Sequence, residues 1–345
     1  MNYKKSNIFI TIDYELFMGE RTGSVINCMI RPLDKLIEIL NKYNVKMTIY
    51  VDSAYLLKVY ELKSRHKSLE IDYELITSQI RSLSENGHDI QLHIHPQWLH
   101  SDYSENVWKV NPKHYKLSDL EPTESKTLFA NAKLLLEQII NMPVNSFRAG
   151  GYSIQTYTNY TELFSDNGIV IDSSVLVEAY ADSDFQKYDY RLCPCYERYK
   201  FKKDLMIEDN CGKFVELPIS RHKVSLFYDI YKRLKLTKQF DQNKYGDGIA
   251  SASYIPNNES LYHKLFRLFT NNFKTASIDN YSPIYLPYLH RKHRKTNNQD
   301  FVIIGHPKNF SELSLYYLEQ FIKKEKENSR FLTVSSIAKS NLLQN

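Results

Sequence analysis

Short apolar runs alternating with helix-period stretches dominate the first half of the chain. Positions 8–12 (Ile-Phe-Ile-Thr-Ile) form a β-branched and aromatic run suited to a strand buried on both faces. Leu33, Leu36, Ile37 and Leu40 then recur on one face of a 3.6-residue period, with Pro32 at its start, and predict a helix over 32–43. A strand is predicted over 45–51, a helix over 73–85 closed by Asn86-Gly87, and a strand over 89–92. A long helix over 123–140 stops at Asn141-Met142-Pro143. A strand from Phe147, a helix over 157–167 and a strand over 169–171 follow. Near the C-terminus 301–304 reads as a strand, 311–326 as a helix, 331–334 as a closing strand and 335–337 as a short helix. Strands spaced by helices of ten to fifteen residues predict β-α units around a parallel sheet. This many units favour a (β/α) barrel, complete or distorted, over an open doubly wound sheet. No glycine-rich loop follows the first strand, so dinucleotide and nucleotide binding are not expected.

Between 176 and 300 the periodicity weakens, and Tyr-, Lys- and Asn-rich stretches alternate with short apolar runs. This stretch is expected to hold long insertions on the ligand face plus one or two barrel units. Its basic run, His290-Arg291-Lys292-His293-Arg294-Lys295, reads as a solvated loop. With no internal repeat, 1–345 is expected to be a single barrel domain with an irregular insertion around 176–300. A formal net charge of +5, from 45 Lys and Arg against 40 Asp and Glu, gives no reason to expect a nucleic-acid partner. No apolar leader follows Met1 and no run reaches membrane-spanning length, so a cytoplasmic location is expected. Cys28, Cys193, Cys195 and Cys211 would be reduced there. Cys193-Pro194-Cys195 with a distant Cys211 lacks a recognisable zinc spacing.

Chemistry gathers at strand ends. The strand over 89–92 delivers His93 and His95, which at i and i+2 share one face, and two converging imidazoles commonly begin a transition-metal site. Pro96 then turns the chain away. The first strand ends in Asp13 and Glu15, again at i and i+2, at the end where chemistry collects in parallel α/β folds. Phe147-Arg148-Ala149-Gly150-Gly151-Tyr152 places an arginine beside glycines whose N–H groups could face an oxyanion. The guanidinium could hold Asp13. Asp172 and Glu216 close further short strands. His306, after the apolar run 301–304, is a candidate acid or base.

In this order, the elements resemble the polysaccharide deacetylase (NodB-homology) superfamily, carbohydrate esterase family 4. The resemblance implies a distorted (β/α) barrel and a hydrolase acting on C–N bonds other than peptide bonds. Such an enzyme removes an N-acetyl or other acyl group from a sugar or polysaccharide precursor. Thr11-Ile12-Asp13-Tyr14-Glu15 looks like the first motif, which would make Asp13 the general base and Glu15 (or Asp13) a metal ligand. Gly87 to His93 looks like the approach to the second motif, with His93 the first metal histidine. Phe147 to Tyr152 looks like the third, in which Arg148 orients the base, and Ile171-Asp172-Ser173-Ser174 sits where the fourth belongs. Ile304-Gly305-His306 resembles the fifth, whose histidine is the general acid. Gly151, Tyr152, Trp98 and Asp172 would contact substrate, and Zn2+ is the expected ion. The position four after His93, where the family has its second metal histidine, is Gln97. His95 is the substitute, in the H-x-H-P form associated with lipopolysaccharide- and capsule-biosynthesis members. Two other readings stay open: hydrolysis of a non-sugar amide or formyl group on the same fold, and an inactive sugar-binding homologue.

Overall fold

The computed structural model describes residues 5–236, 244–250 and 272–339. Nine strands form its main sheet: β1 (Ser6–Tyr14), β2 (Thr48–Asp52), β3 (Asp89–Ile94), β4 (Ser146–Ala149), β5 (Ile171–Asp172), β6 (Tyr199–Phe201), β7 (Phe214–Glu216), β8 (Asp300–Gly305) and β9 (Ser329–Leu332). The order is β6-β7-β5-β4-β3-β2-β1-β8, with β9 lying beside the first half of β1. Every pairing is parallel except that of β6 with β7. Every residue of β1 and β8 is buried, as a strand covered on both faces requires.

The helices are α1 (Arg31–Lys42), α2 (Ser53–Leu62), α3 (Lys67–Glu85), α4 (Pro122–Ile140), α5 (Tyr160–Asp166), α6 (Leu226–Leu236), α7 (Leu286–Lys295), α8 (Glu312–Glu325) and α9 (Ser335–Lys339). Leu33, Leu36 and Leu40 of α1 are sealed against the sheet, and α4 buries Leu128, Phe129, Ala132, Leu135 and Leu136. Each such side chain contributes about 1.5–3 kcal/mol of transfer free energy. α4 stops where Asn141 takes a left-handed conformation, φ 52°.

The architecture is the distorted barrel that the strand–helix alternation predicts. The ring between β7 and β8 is bridged by irregular chain: Ser220 N–H donates to Val302 O, Ala276 N–H to Ser220 O, and Ile278 N–H to Ile304 O. The insertion around 176–300 contributes β6, β7 and two antiparallel pairs, Tyr180–Asp182 with Lys187–Asp189 and Arg221–Lys223 with Phe273–Thr275. Its positions 237–243 and 251–271 lie outside the described residues.

Two local expectations are corrected. The basic run 290–295 is the end of α7, not a loop. The buried positions of α7 are Leu286, Leu289, His290 and His293, at i, i+3, i+4 and i+7, so two histidines hide an otherwise regular inward face. His290 Nε2 lies 3.0 Å from Ser6 Oγ, and His293 Nδ1 lies 3.0 Å from His222 Nε2. The helix α2 was also not predicted. It begins at Asp52, whose carboxylate accepts from Tyr55 N–H. No helix among the described residues is long and apolar enough to cross a membrane.

Candidate active site

The adjacent strands β1, β2 and β3 end level, with Asp13 opposite Tyr50 and Asp52 opposite His93. That register carries Glu15, His93 and His95 to one buried point. Glu15 Oε2 lies 3.2 Å from His93 Nε2 and 2.5 Å from His95 Nε2. One ligand atom from each residue falls within 4.8 Å of the other two. His93 Nδ1 donates to Arg148 O at 2.7 Å, which turns its Nε2 toward the carboxylate. Two imidazole nitrogens and a carboxylate oxygen converging in a dry pocket are three electron-pair donors. Such a donor set fits a divalent transition metal. Asp52 sets the turn after β3 by accepting from His95 N–H at 3.2 Å and from the Trp98 indole at 2.7 Å.

Asp13 stands beside this cluster. Arg148 NH1 donates to Asp13 Oδ1 at 2.7 Å and to Thr11 Oγ1 at 3.0 Å, while its Nε and NH2 donate to Ser173 O and Oγ at 2.9 Å. The guanidinium carbon lies 4.2 Å from the centre of the Tyr50 ring. Burial opposes ionisation of Asp13, yet Arg148, His93 and His306 outweigh it and hold the carboxyl below its usual range. Glu15 is likewise buried and is held well below its usual range by Lys308 and His95. His306 Nε2 faces both acids, 3.6 Å from Asp13 Oδ2 and 3.8 Å from Glu15 Oε1. Behind it, Asp279 accepts from His306 Nδ1 and from its backbone N–H, both at 2.7 Å. Burial disfavours the imidazolium, but Asp279, with Asp13 and Glu15, pushes His306 up to about 9.

Gly150 and Gly151 form the wall. A Cβ on Gly150 would stand 2.7 Å from Ile94 O and 2.8 Å from His95 Nδ1. Gly151 has φ 56°, and a Cβ there would meet the Tyr115 ring at 2.5 Å. Tyr152 keeps a positive φ of 63°, uncommon for a bulky residue, and its carbonyl accepts from the Tyr190 hydroxyl. Trp98 and Asp172, expected to contact substrate, do not line this space. Trp98 is sealed between Tyr55 and Trp108 with its indole on Asp52. Asp172 is fully buried and faces Glu216, its register neighbour on β7.

That carboxyl pair underlies the arginine. Asp172 Oδ1 accepts from Ser174 Oγ, which accepts from Ala149 N–H, and Glu216 Oε1 accepts from Val175 N–H. The remaining oxygens, Asp172 Oδ2 and Glu216 Oε2, have no other partner. Two sealed acids so placed favour keeping a proton between them. Burial and, for Glu216, the neighbouring Asp172 push both carboxyls up.

Sequence reasoning missed Asp52, Asp279 and Lys308. Ile278-Asp279 repeats the apolar-then-aspartate pattern of Ile12-Asp13 and Ile171-Asp172, a usable signal within the weakly periodic stretch. Lys308 donates to Glu15 Oε1 at 2.8 Å and to Leu16 O at 2.7 Å, and nothing but its position two after His306 hints at this. Gln97 is fully buried, and neither atom of its amide has a partner. Among the described residues, no metal-ligand cluster includes a cysteine.

Residues 19–167 match a family model, that of the polysaccharide deacetylases. The segment contains His93, His95 and Arg148 and leaves Asp13, Glu15 and His306 outside. A Mycobacterium smegmatis protein classed among the polysaccharide deacetylases superimposes with a TM-score of 0.51 at 15% identity, over 98% of this chain and 91% of its own. A Pseudomonas aeruginosa PAO1 protein of the same class gives 0.49 at 11% identity, over 96% and 89%. Puue allantoinase gives 0.48 at 11% identity, also over 96% and 89%. No curated protein matches the sequence. The fold is therefore the distorted barrel of polysaccharide deacetylase type. Residues 19–167 are similar in sequence to the polysaccharide deacetylase family.

Proposed function

We propose that the protein is a metal-dependent hydrolase that removes an N-acetyl or related acyl group from an amino sugar in a carbohydrate precursor. The observation that carries this is the meeting of Glu15, His93 and His95 directly beside an Arg148-held Asp13 and an Asp279-held His306. The three ligands would hold a divalent ion, with Zn2+ the choice that best suits two imidazoles and one carboxylate; when bound, it would polarise the acyl carbonyl and acidify a water. Asp13, kept ionised by Arg148, takes a proton from the attacking water. The Gly151 N–H faces the developing oxyanion, in a turn where a side chain would strike Tyr115. His306, kept protonated by Asp279, gives its proton to the departing amine nitrogen as the C–N bond breaks. The products are the free amine and a carboxylate. A cytoplasmic, nucleotide- or lipid-linked sugar of a lipopolysaccharide or capsule route suits the H-x-H-P form at His93, His95 and Pro96.

Release of acetate from N-acetylated amino-sugar substrates, free and nucleotide-linked, tests this. Turnover is expected with added Zn2+ and is expected to fall by roughly two to four decades in Asp13→Asn. Equal turnover in that variant would refute the assigned base. A second reading, an inactive sugar-binding homologue, is favoured by Gln97 where the family has a histidine and by Lys308 already on Glu15. It predicts sugar binding without acetate release.

A further inference from the structure

A second cavity, of about 430 Å3, opens at the end of the barrel that carries the metal cluster, and none of Asp13, Glu15, His93, His95 and His306 lines it. Its walls come from the loop after β1, from α2 and α3, and from an antiparallel hairpin, Asp102–Ser104 with Val107–Lys109. Three aromatic side chains line it: Tyr55 of α2, and Tyr103 and Trp108 of the hairpin. The Trp108 ring centre lies 5.7 Å from that of Tyr55 and 4.8 Å from that of Tyr103. Ser68 Oγ lies 2.8 Å from the Tyr103 hydroxyl and donates to Asn106 Oδ1 at 3.0 Å. These bonds tie the hairpin to α3, so the walls stand in place before any ligand arrives.

Two polar groups in these walls have complementary needs. The Tyr55 hydroxyl is buried without a hydrogen-bond partner; the nearby Trp108 indole can only donate, so the hydroxyl's own proton lacks an acceptor. Asp72 is half-buried and, among the described residues, has neither a hydrogen-bond donor nor an ion-pair partner. Burial alone pushes its carboxyl up to about 6. Burial, and next the Asp72 charge, hold the Tyr55 hydroxyl well above its usual range, so the two stand within electrostatic reach. A ligand hydroxyl that accepts from Tyr55 and donates to Asp72 completes both, while the aromatic walls take the apolar C–H face of the ring that carries it. A quaternary ammonium suits an aromatic box, but it offers Tyr55 no acceptor and meets Arg21, which also lines the cavity. A phosphate-like anion meets Asp72 and Asp247. We infer that this cavity is a sugar-binding subsite that seats one neutral pyranose unit among Tyr55, Tyr103 and Trp108, with Tyr55 and Asp72 reading its hydroxyls. Leu16, one residue beyond Glu15, also lines it. Trp98 packs on Tyr55 and Trp108, and its indole holds Asp52, the acceptor of the His95 N–H. The subsite thus borders the metal cluster without sharing a residue with it.

Titration of the full chain with cellotriose, mannotriose and galactobiose, followed by saturation-transfer NMR, tests this. None of the three carries an acyl group, so the proposed reaction cannot consume them. At least one is expected to bind the wild type, with affinity lowered roughly tenfold or more in Asp72→Ala and roughly two- to tenfold in Tyr55→Phe. Tyr55→Phe is also expected to keep or raise the denaturation midpoint, because it removes a buried proton that nothing accepts, whereas loss of a structural hydroxyl would lower it. Binding of none of the three sugars, binding indifferent to both variants, or a lower midpoint in Tyr55→Phe overturns the proposal. So does tighter binding of tetramethylammonium than of any sugar in this cavity, which would assign it to a cation. Acetate release plays no part in these readouts, so the proposed reaction can fail while this subsite stands.

Discussion

Arg148 engages Asp13, Thr11 and Ser173 from a position with no solvent, while its own carbonyl fixes the His93 ring. Removing the guanidinium would strip the buried Asp13 carboxylate of its hydrogen-bonded cation and leave only the His306 ring 3.6 Å away. Arg148→Ala is therefore expected to cost about 3–5 kcal/mol of stability, read as a shift in denaturation midpoint; a surface-like loss below about 1 kcal/mol would contradict the described ion pair. Gly150 makes a separate prediction, because its missing side chain leaves room for the His95 ring. In Gly150→Ala the new methyl must displace that ring or the Ile94 carbonyl, and Zn2+ affinity by calorimetry should fall by roughly 10–100-fold with the fold retained. Unchanged affinity would mean that His95 is not a ligand.

At the scale of elements, β5 and β7 stand in register through Asp172 and Glu216, and the loop after β5 holds both Arg148 and the start of the glycine turn. Both carboxyls sit above their unfolded range, so the folded protein keeps protons that the unfolded chain would release. Their stabilising contribution is complete below the unfolded carboxylate range and is lost as pH rises through the folded one. Wild-type stability should thus decline from mildly acid toward alkaline pH more steeply than that of Glu216→Gln, which keeps a hydrogen-bonding amide without the titration. Midpoints measured across that range with the same slope in both proteins would rule out the shared proton. These elements also show what a sequence can and cannot disclose. Strands β1 and β8 are legible because burial on both faces forces near-continuous apolar runs, and β3 because Ile90, Leu92 and Ile94 alternate with polar residues; each delivers chemistry at its end. α7 is illegible as a helix because two of its four buried positions are His290 and His293, which pack on Phe301 while their ring nitrogens are held by Ser6 and His222. The β5–β7 pairing joins residues 44 positions apart, and no local pattern announces it.

Across the whole molecule, β1, β3, β4 and β8 bring Asp13, Glu15, His93, Arg148 and His306 from separate parts of the chain to one end of the barrel. Those five were legible as strand-end chemistry. Asp279 and Lys308, which tune them, come from bridging chain whose course the sequence pattern does not give. The proposed chemistry requires Glu15, His93 and His95 to form one metal centre. Elemental analysis of the purified full chain, repeated after chelation and Zn2+ addition, tests it most directly. We expect close to one equivalent of divalent transition metal, restored after chelation and lost in His93→Ala. A chain that carries no metal and gains none from added Zn2+, or one whose metal survives His93→Ala, would contradict it.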